Sequence, residues 1–296
     1  MYKFSFASEK PKLPKPLKIN KMPELAELRL TADYIRESAR GKTYKNIKNN
    51  PIHKHPPLKQ LKDRFTISAE SRGKELILSM DGHPVRMTMG MSGHFRVTET
   101  GKELKHSHLI FEATDGTSLS FVDVRRFGKW WSGHGWSKDR SPDPTLEFDS
   151  FVKNIADNLH KRAFDKPIGE ILLNQKYFNG IGNYLRAEII YRIPELSPFM
   201  QAREAIETYP KILELCKYMP ELAYVRGGGS IKDWDNPFGV ENGRFMKCYG
   251  NPEMISEKDG TGRTMWYRPE HQWVRIKDEN WDHYSGLPSP AFYGQA

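Results

Sequence analysis

The chain has 296 residues, a formal net charge of +9, and 28% charged, 38% hydrophobic and 12% aromatic residues. That length supports roughly two domains with a real hydrophobic core. A mean hydropathy of −0.70 without a long apolar run excludes a helical membrane protein, and the aromatic content excludes a wholly disordered chain.

A pI near 9.3 points to an anionic partner, with nucleic acid first. Two cysteines, Cys216 and Cys248, give no disulfide framework and fit a reducing compartment. The charge is uneven: residues 1–21 hold six lysines against the single acid Glu9, a net of +5, which leaves +4 for all the rest. Nucleic-acid binding must therefore rest on where the charges of the body sit.

In chain order, residues 1–21 read as a flexible, extended Lys/Pro-rich arm, with Pro11, Pro14 and Pro16 and no apolar periodicity. It lacks the apolar stretch of a secretory signal and the Arg/Ser richness of a transit peptide. Leu25, Leu28, Ala32, Ile35 and Ala39 predict one helix face, closed by Arg40-Gly41. From Lys42 to about Trp131 the period becomes two: Phe65, Ile67, Ala69; Leu76, Leu78, Met80; Met87, Met89, Met91; Leu109, Phe111, Ala113. Asp81-Gly82 and Asp115-Gly116 mark hairpin turns. A breaker cluster, Asp139 to Pro144, precedes three helical stripes: Phe148, Phe151, Ile155, Leu159; Ile168, Leu172, Leu173; Leu185, Ile189, Ile190. A small unit follows, from Phe245 to about His271.

Three strings stand out. In Met22-Pro23-Glu24-Leu25-Ala26-Glu27 the plain reading is a helix start, with proline and two acids in the first turn. The chemical reading needs Pro23 as the mature N-terminus: its secondary amine would attack an anomeric carbon and form an iminium that cannot lose its charge at nitrogen. Glu24 would serve beside it as acid/base. Gln175-Lys176-Tyr177-Phe178-Asn179-Gly180-Ile181-Gly182-Asn183 is a tight reversal whose amides, with the following helix start, suit a DNA phosphate. Phe121-Val122-Asp123-Val124-Arg125-Arg126-Phe127-Gly128 puts two arginines and a ring on a loop, as a duplex wedge requires.

Together these strings resemble the Fpg/Nei family of base-excision DNA glycosylases, in its Nei-like branch. Ser71-Arg72-Gly73-Lys74-Glu75-Leu76, Gly90-Met91-Ser92-Gly93 and the continuation to Glu188 recur in family order, and the resemblance spans residues 22–272. It implies an α+β fold: an N-terminal helix with an antiparallel β-sandwich, then a helix–two-turns–helix domain, then a small β-hairpin finger. The corresponding division is an extension over 1–21, a catalytic domain over 22–143, a helical DNA-binding domain over 144–240, the finger over 241–275 and a polar tail over 276–296.

The resemblance makes Pro23 the nucleophile and Glu24 the acid/base that assists sugar opening. Glu27 supports the site and Lys74 lies near the lesion phosphate. Met91, Arg125 and Phe127 fill the gap left by the flipped nucleotide. Arg126, Asn183 and Arg263 bind backbone phosphates. The Gly-rich, polar stretch 226–240, lying between the helical domain and the finger, is expected to supply residues that touch the flipped base. Where other members carry the last two cysteines of a zinc ribbon, this chain has Arg268 and His271. One cysteine and one histidine do not make four ligands, so the finger resembles the zincless type, held by packing that includes Trp266. No metal and no cofactor is expected.

The family's usual Pro-Glu-Gly-Pro-Glu start is changed at Leu25-Ala26, which leaves both acids in place. With residues 1–22 attached, the Pro23 nitrogen is a tertiary amide and no nucleophile. Expression from Met22, or removal of the arm, is therefore expected. The function expected is a bifunctional DNA glycosylase/AP lyase acting on oxidised pyrimidines and ring-opened purines with β,δ-elimination. The partner expected is damaged DNA, duplex DNA first with single-stranded DNA left open, engaged by a monomer away from membranes. The location is wherever the genome is repaired (nucleus, cytoplasm or viral factory). The alternative is a damaged-DNA binding protein without catalysis, should Pro23 never be a free amine.

Overall fold

The computed structural model describes residues 18–19, 23–229, 231–232 and 245–271. Most of the 226–240 loop, Met22, Gln272 and the 276–296 tail lie outside these described residues. Within the arm, Lys18 and Ile19 form a two-residue strand, β1, antiparallel to Ile231 and Lys232, where a solvated, unpaired arm was expected.

Helix α1 (Leu25–Ala39) carries its apolar residues at helical spacing and ends before Gly41. The strands that follow are β2 (Tyr44–Asn49), β3 (Ile67–Arg72), β4 (Glu75–Met80), β5 (His83–Thr88), β6 (His94–Glu99), β7 (Ser107–Ala113), β8 (Thr117–Val122) and β9 (Lys129–Ser132). They build two four-stranded antiparallel sheets, ordered β2-β7-β8-β6 and β3-β4-β5-β9. Alternation decides which side chains face inward: Ile67 and Ala69, Leu76 and Leu78, Val85 and Met87, and Leu109 and Phe111 all enter one core. Asp81 and Gly82 both have positive φ, 49° and 85°, as a two-residue hairpin turn demands. The methionine alternation stops early: β5 ends at Thr88, Met89 is buried, and Met91 is exposed on the loop before β6.

The second half contains α2 (Phe148–Asn158), a 3-10 turn at Arg162–Asp165, α3 (Ile168–Ile171), α4 (Asn183–Tyr191), α5 (Ala202–Thr208) and α6 (Lys211–Val225). Then come β10 (Ile231–Lys232), the partner of β1, and the hairpin β11 (Ile255–Lys258) and β12 (Thr264–Tyr267), closed by a 3-10 turn at Pro269–His271. The stripe Ile168, Leu172, Leu173 is not a long helix: α3 is a single turn. Its first amides are taken by the chain near residue 200, Ile168 N–H donating to the Met200 carbonyl at 2.8 Å and Gly169 N–H to that of Pro198 at 2.9 Å.

Helix α1 belongs to both halves. Leu28, Leu30, Ala32, Tyr34, Ile35 and Ala39 pack into the sandwich core, whereas Leu25 and Ala26 join the helical core with Leu185, Ile181 and Phe178. The first turn of α1 is thus the seam of the molecule. Ile35 is fully enclosed, so Ile35→Ala should cost about 2–5 kcal/mol through lost burial and a residual cavity, read as a lower denaturant midpoint in equilibrium unfolding.

Candidate active site and DNA-facing surfaces

Pro23 and Glu24 lie at that seam, and both are buried. Glu24 caps α1, yet its carboxylate turns away to α4: Oε1 accepts from Tyr184 N–H at 3.0 Å and Oε2 from Leu185 N–H at 3.2 Å. The opening amides of a helix have no partner within it and carry the positive end of its dipole, so α4 supplies the carboxylate's nearest stabilising donors. The Glu24 N–H in turn donates to Glu27 Oε2 at 2.9 Å. Glu27 also receives the Tyr184 hydroxyl at 3.1 Å and Gly229 N–H at 2.8 Å. Glu27 therefore holds the backbone of Glu24, the ring of Tyr184 and the start of the loop after α6.

Lys74 enters from the turn between β3 and β4, its Nζ donating to the Ile181 carbonyl at 3.0 Å. Gly182 is the floor of this pair: a Cβ there would overlap the Glu24 carboxyl and Lys74 Nζ. Burial drives both groups toward neutrality. It raises Glu24 to about 7 against the opposing pull of Lys74 and the α4 amides, with Glu27 adding to the rise. It lowers Lys74 to about 8 against the pull of Glu24, helped by the positive charges of Arg263 and Arg140. Glu27 is likewise raised by burial, and Tyr184 is pushed well above the usual phenol range by burial and the two acids. A carboxyl group titrating near neutrality beside a depressed amine can give and take a proton at physiological pH.

The structure gathers Pro23, Glu24, Glu27 and Lys74 into one cluster. Asn183 adjoins it at the start of α4, but its side chain is engaged: Nδ2 donates to the Thr264 carbonyl at 2.8 Å, and Oδ1 accepts from Arg186 Nη2 at 2.7 Å. Arg263 is exposed at the tip of the β11–β12 hairpin.

Met91, Arg125, Arg126 and Phe127 form a second group on adjoining sandwich loops, all exposed. The loop after β8 is organised by Asp123, which is fully buried. Its carboxylate accepts the N–H of Arg125 at 3.2 Å, that of Gly128 at 2.8 Å, and the hydroxyl of Ser92 from the Met91 loop. Arg126 sits at φ 59° between them, and the Arg125 guanidinium lies 5.0 Å from the Phe127 ring centre.

Several residues with roles here carry no local signal in the sequence. Arg140 faces Glu75 at 3.4 Å and donates to Asn179 Oδ1 at 3.4 Å, which places a further cation near Lys74. Arg186 is fully buried and pairs with Asp259 at 2.5 Å. Glu188 accepts the N–H groups of Lys247, Cys248 and Tyr249 at 2.8–3.0 Å. Of the two residues at the zinc-ribbon cysteine positions, Arg268 donates to the Tyr191 carbonyl at 3.1 Å and stacks 4.0 Å from that ring, while His271 is buried. Trp266 lies 5.8 Å from the Tyr249 ring. Packing was expected to hold the hairpin in place of a metal; polar anchors to α4 stand beside that packing. Among the described residues no group of three or more His, Cys, Asp or Glu is arranged to hold a metal ion.

Residues 22–130 match the model of the formamidopyrimidine-DNA glycosylase N-terminal domain, and residues 243–271 match that described as endonuclease VIII-like 1, DNA bind. The chain is 33% identical over 290 residues to endonuclease 8-like 1 of Mus musculus, covering 83% of this chain and 72% of that protein. Identity to the Homo sapiens protein is 34% over 286 residues, with the same coverage. The chain belongs to the Fpg/Nei family of DNA glycosylases.

It is a glycosylase of base excision repair that acts on oxidised bases in damaged DNA, with AP lyase activity. Among solved structures, MutM (Fpg) of Thermus thermophilus superposes with a TM-score of 0.68 at 22% identity, over 84% of this chain and 98% of that one. Wild-type Lactococcus lactis Fpg, in complex with a DNA containing N7-benzyl-Fapy-dG, gives 0.70 at 22% over 84% and 99%. At that identity the likeness speaks to the fold. Among the described residues no helix is long and apolar enough to cross a membrane.

Because Gly182 leaves no room for a Cβ, Gly182→Ala should displace the Glu24–Lys74 pair. A misplacement of about 1 Å at a reacting centre costs on the order of 100-fold. Nicking of a duplex with an oxidised pyrimidine should fall by at least about tenfold, with an unchanged far-UV circular dichroism spectrum.

Proposed function

We propose that the glycosylase works through the secondary amine of Pro23 as nucleophile with Glu24 as acid/base, and that oxidised pyrimidines and ring-opened purines are its main substrates. The observation that carries this reading is the buried Glu24 carboxyl beside Pro23, held by the first amides of α4 and opposite Lys74, where burial raises its affinity for protons. The substrate preference draws on the likeness to the endonuclease 8-like proteins.

In this mechanism the damaged nucleotide leaves the stack at a cost of a few kcal/mol, roughly, and Met91, Arg125 and Phe127 occupy the gap. Pro23 nitrogen bonds to the anomeric carbon as the bond to the base breaks, and the amine proton passes to the departing base. Protonated Glu24 gives its proton to the ring oxygen, and the sugar opens to an iminium. Loss of the neighbouring proton sends the electron pair toward the iminium and expels the 3′ phosphate; a second elimination expels the 5′ phosphate, and water then frees the amine. Lys74, Arg126, Asn183 and Arg263 hold phosphates during these steps. Asn183 keeps one amide hydrogen beyond its bond to Thr264 for that purpose. Glu27 holds Glu24 and the loop start in place. One chain carries every group required, so a monomer suffices, acting wherever the genome is repaired.

The chemistry requires Pro23 to present a free amine. Borohydride should trap a covalent adduct on lesion-bearing duplex, mapping to Pro23, with a chain begun at Met22 and stripped of that methionine. The chain retaining residues 1–22 should not trap through Pro23, and Pro23→Gly in the shorter chain should lose most base release. Full base excision by a chain with a blocked terminal amine would falsify the mechanism.

The acid role fixes the sign of the pH dependence. Glu24 donates to the ring oxygen only while protonated, so sugar opening, read as single-turnover borohydride trapping, should decline as pH rises through about 7. Lys74 holds Glu24 down by its positive charge. Lys74→Met should therefore move the falling limb to higher pH, besides lowering the rate, in single-turnover rate profiles.

A further inference from the structure

Arg186 and Asp259 are 73 residues apart in sequence and take no part in the mechanism above. Arg186 lies on α4, one turn beyond Asn183, with its side chain at 0% exposure; that of Asp259 is at 2%. The guanidinium meets the carboxylate at 2.5 Å and donates to the Gly169 carbonyl at 2.7 Å, to Asn183 Oδ1 at 2.7 Å and to the Thr264 carbonyl at 3.3 Å. One buried side chain thus binds the carbonyl of α3, the amide of Asn183 and both sides of the hairpin tip.

Asp259 spends its other oxygen on the turn that carries Arg263. Oδ1 accepts Arg263 N–H at 3.0 Å, Thr261 N–H at 2.9 Å and the Thr261 hydroxyl at 2.6 Å, and the Asp259 N–H donates to the Arg263 carbonyl at 2.9 Å. Both backbone groups of Arg263 are therefore fixed by one residue. Glu170 adds a bond to Gly260 N–H at 3.0 Å, and Met265 packs where a Cβ on Gly169 would stand. The Arg263 side chain is left exposed, and its charge is felt by Lys74.

A buried ion pair contributes little net stability but is costly to break, because one charge is left unpaired in the interior. Its usefulness here lies in orientation. We propose that Asp259, seated by Arg186, is a positioning residue for Arg263: it sets the hairpin tip so that the guanidinium reaches a DNA phosphate in register with Asn183 and Lys74. The inference rests on Arg263 meeting a phosphate, as proposed above.

The test is a titration of the full chain with a duplex bearing a tetrahydrofuran abasic analogue, between about 50 and 200 mM salt. Arg263→Ala should lower the slope of log affinity against log salt by about one, the signature of one lost phosphate contact. Asp259→Ala should show the same loss of slope although its own charge is negative, and it should weaken binding no further in the Arg263→Ala background. Asp259→Asn keeps the acceptor for the turn and loses the charge facing Arg186. It should weaken binding less than Asp259→Ala, and that loss too should vanish in the Arg263→Ala background. Should Asp259→Ala not fold, the Asp259→Asn cycle decides alone. An unchanged slope in Arg263→Ala would end both the phosphate contact and this inference. A changed slope in Arg263→Ala, with Asp259 losses that persist in full beside it, would overturn the positioning role alone and leave the pair a purely structural clamp.

Discussion

The carboxylate of Glu24 against the first amides of α4 is the contact on which the arrangement turns. A buried carboxylate is tolerated only where donors surround it, and the donors nearest to this one belong to a helix 160 residues further along the chain. The contact sits where α1 leaves the helical core and enters the sandwich core. The two halves of the molecule are therefore fixed to each other at the place where the chemistry is proposed to occur. Burial that would be a liability elsewhere gives Glu24 an affinity for protons suited to neutral pH.

The same device recurs away from the reacting groups. Asp123, Asp143, Glu188 and Asp259 each gather backbone N–H groups of a loop that has no ladder of its own. Such acids replace regular hydrogen bonding where the chain must be irregular. They also explain how the β11–β12 hairpin is located on α4: Glu188 holds its approach, Arg186 its tip and Tyr191 its far end through Arg268. Three residues within two turns of one helix do the locating.

The sandwich was readable in the sequence because alternation in runs such as Leu76, Leu78, Met80 is a local property, fixed by strand geometry. Helix α1 was readable for the same reason at another period, and Asp81-Gly82 because its backbone demands are local. The residues of the site came from strings resembling a known family, not from spacing. Arg186, Asp259, Arg140 and Asp123 show why the rest was hidden: their roles depend on partners up to 78 residues away and, for Arg186 and Asp123, on complete burial, which neither charge nor periodicity announces. Ile168 and Leu172 misled in the opposite direction, since apolar spacing reports burial, and a single helical turn buries these two as well as a longer helix would.

The loop built on Asp123 has a kinetic consequence. Arg125, Arg126 and Phe127 are exposed, yet their backbone is already fixed, with Arg126 held in a left-handed conformation that a free chain seldom visits. Side chains presented from a fixed backbone lose little further freedom when they enter a base stack. If these side chains enter the duplex as proposed, each attempted insertion in a search along undamaged DNA is limited by how readily the DNA opens, not by how long the loop takes to find its shape. Weakly stacked or mispaired steps would be sampled first, so damage could be sorted from normal sequence by the mechanics of the duplex before any base reaches Glu24.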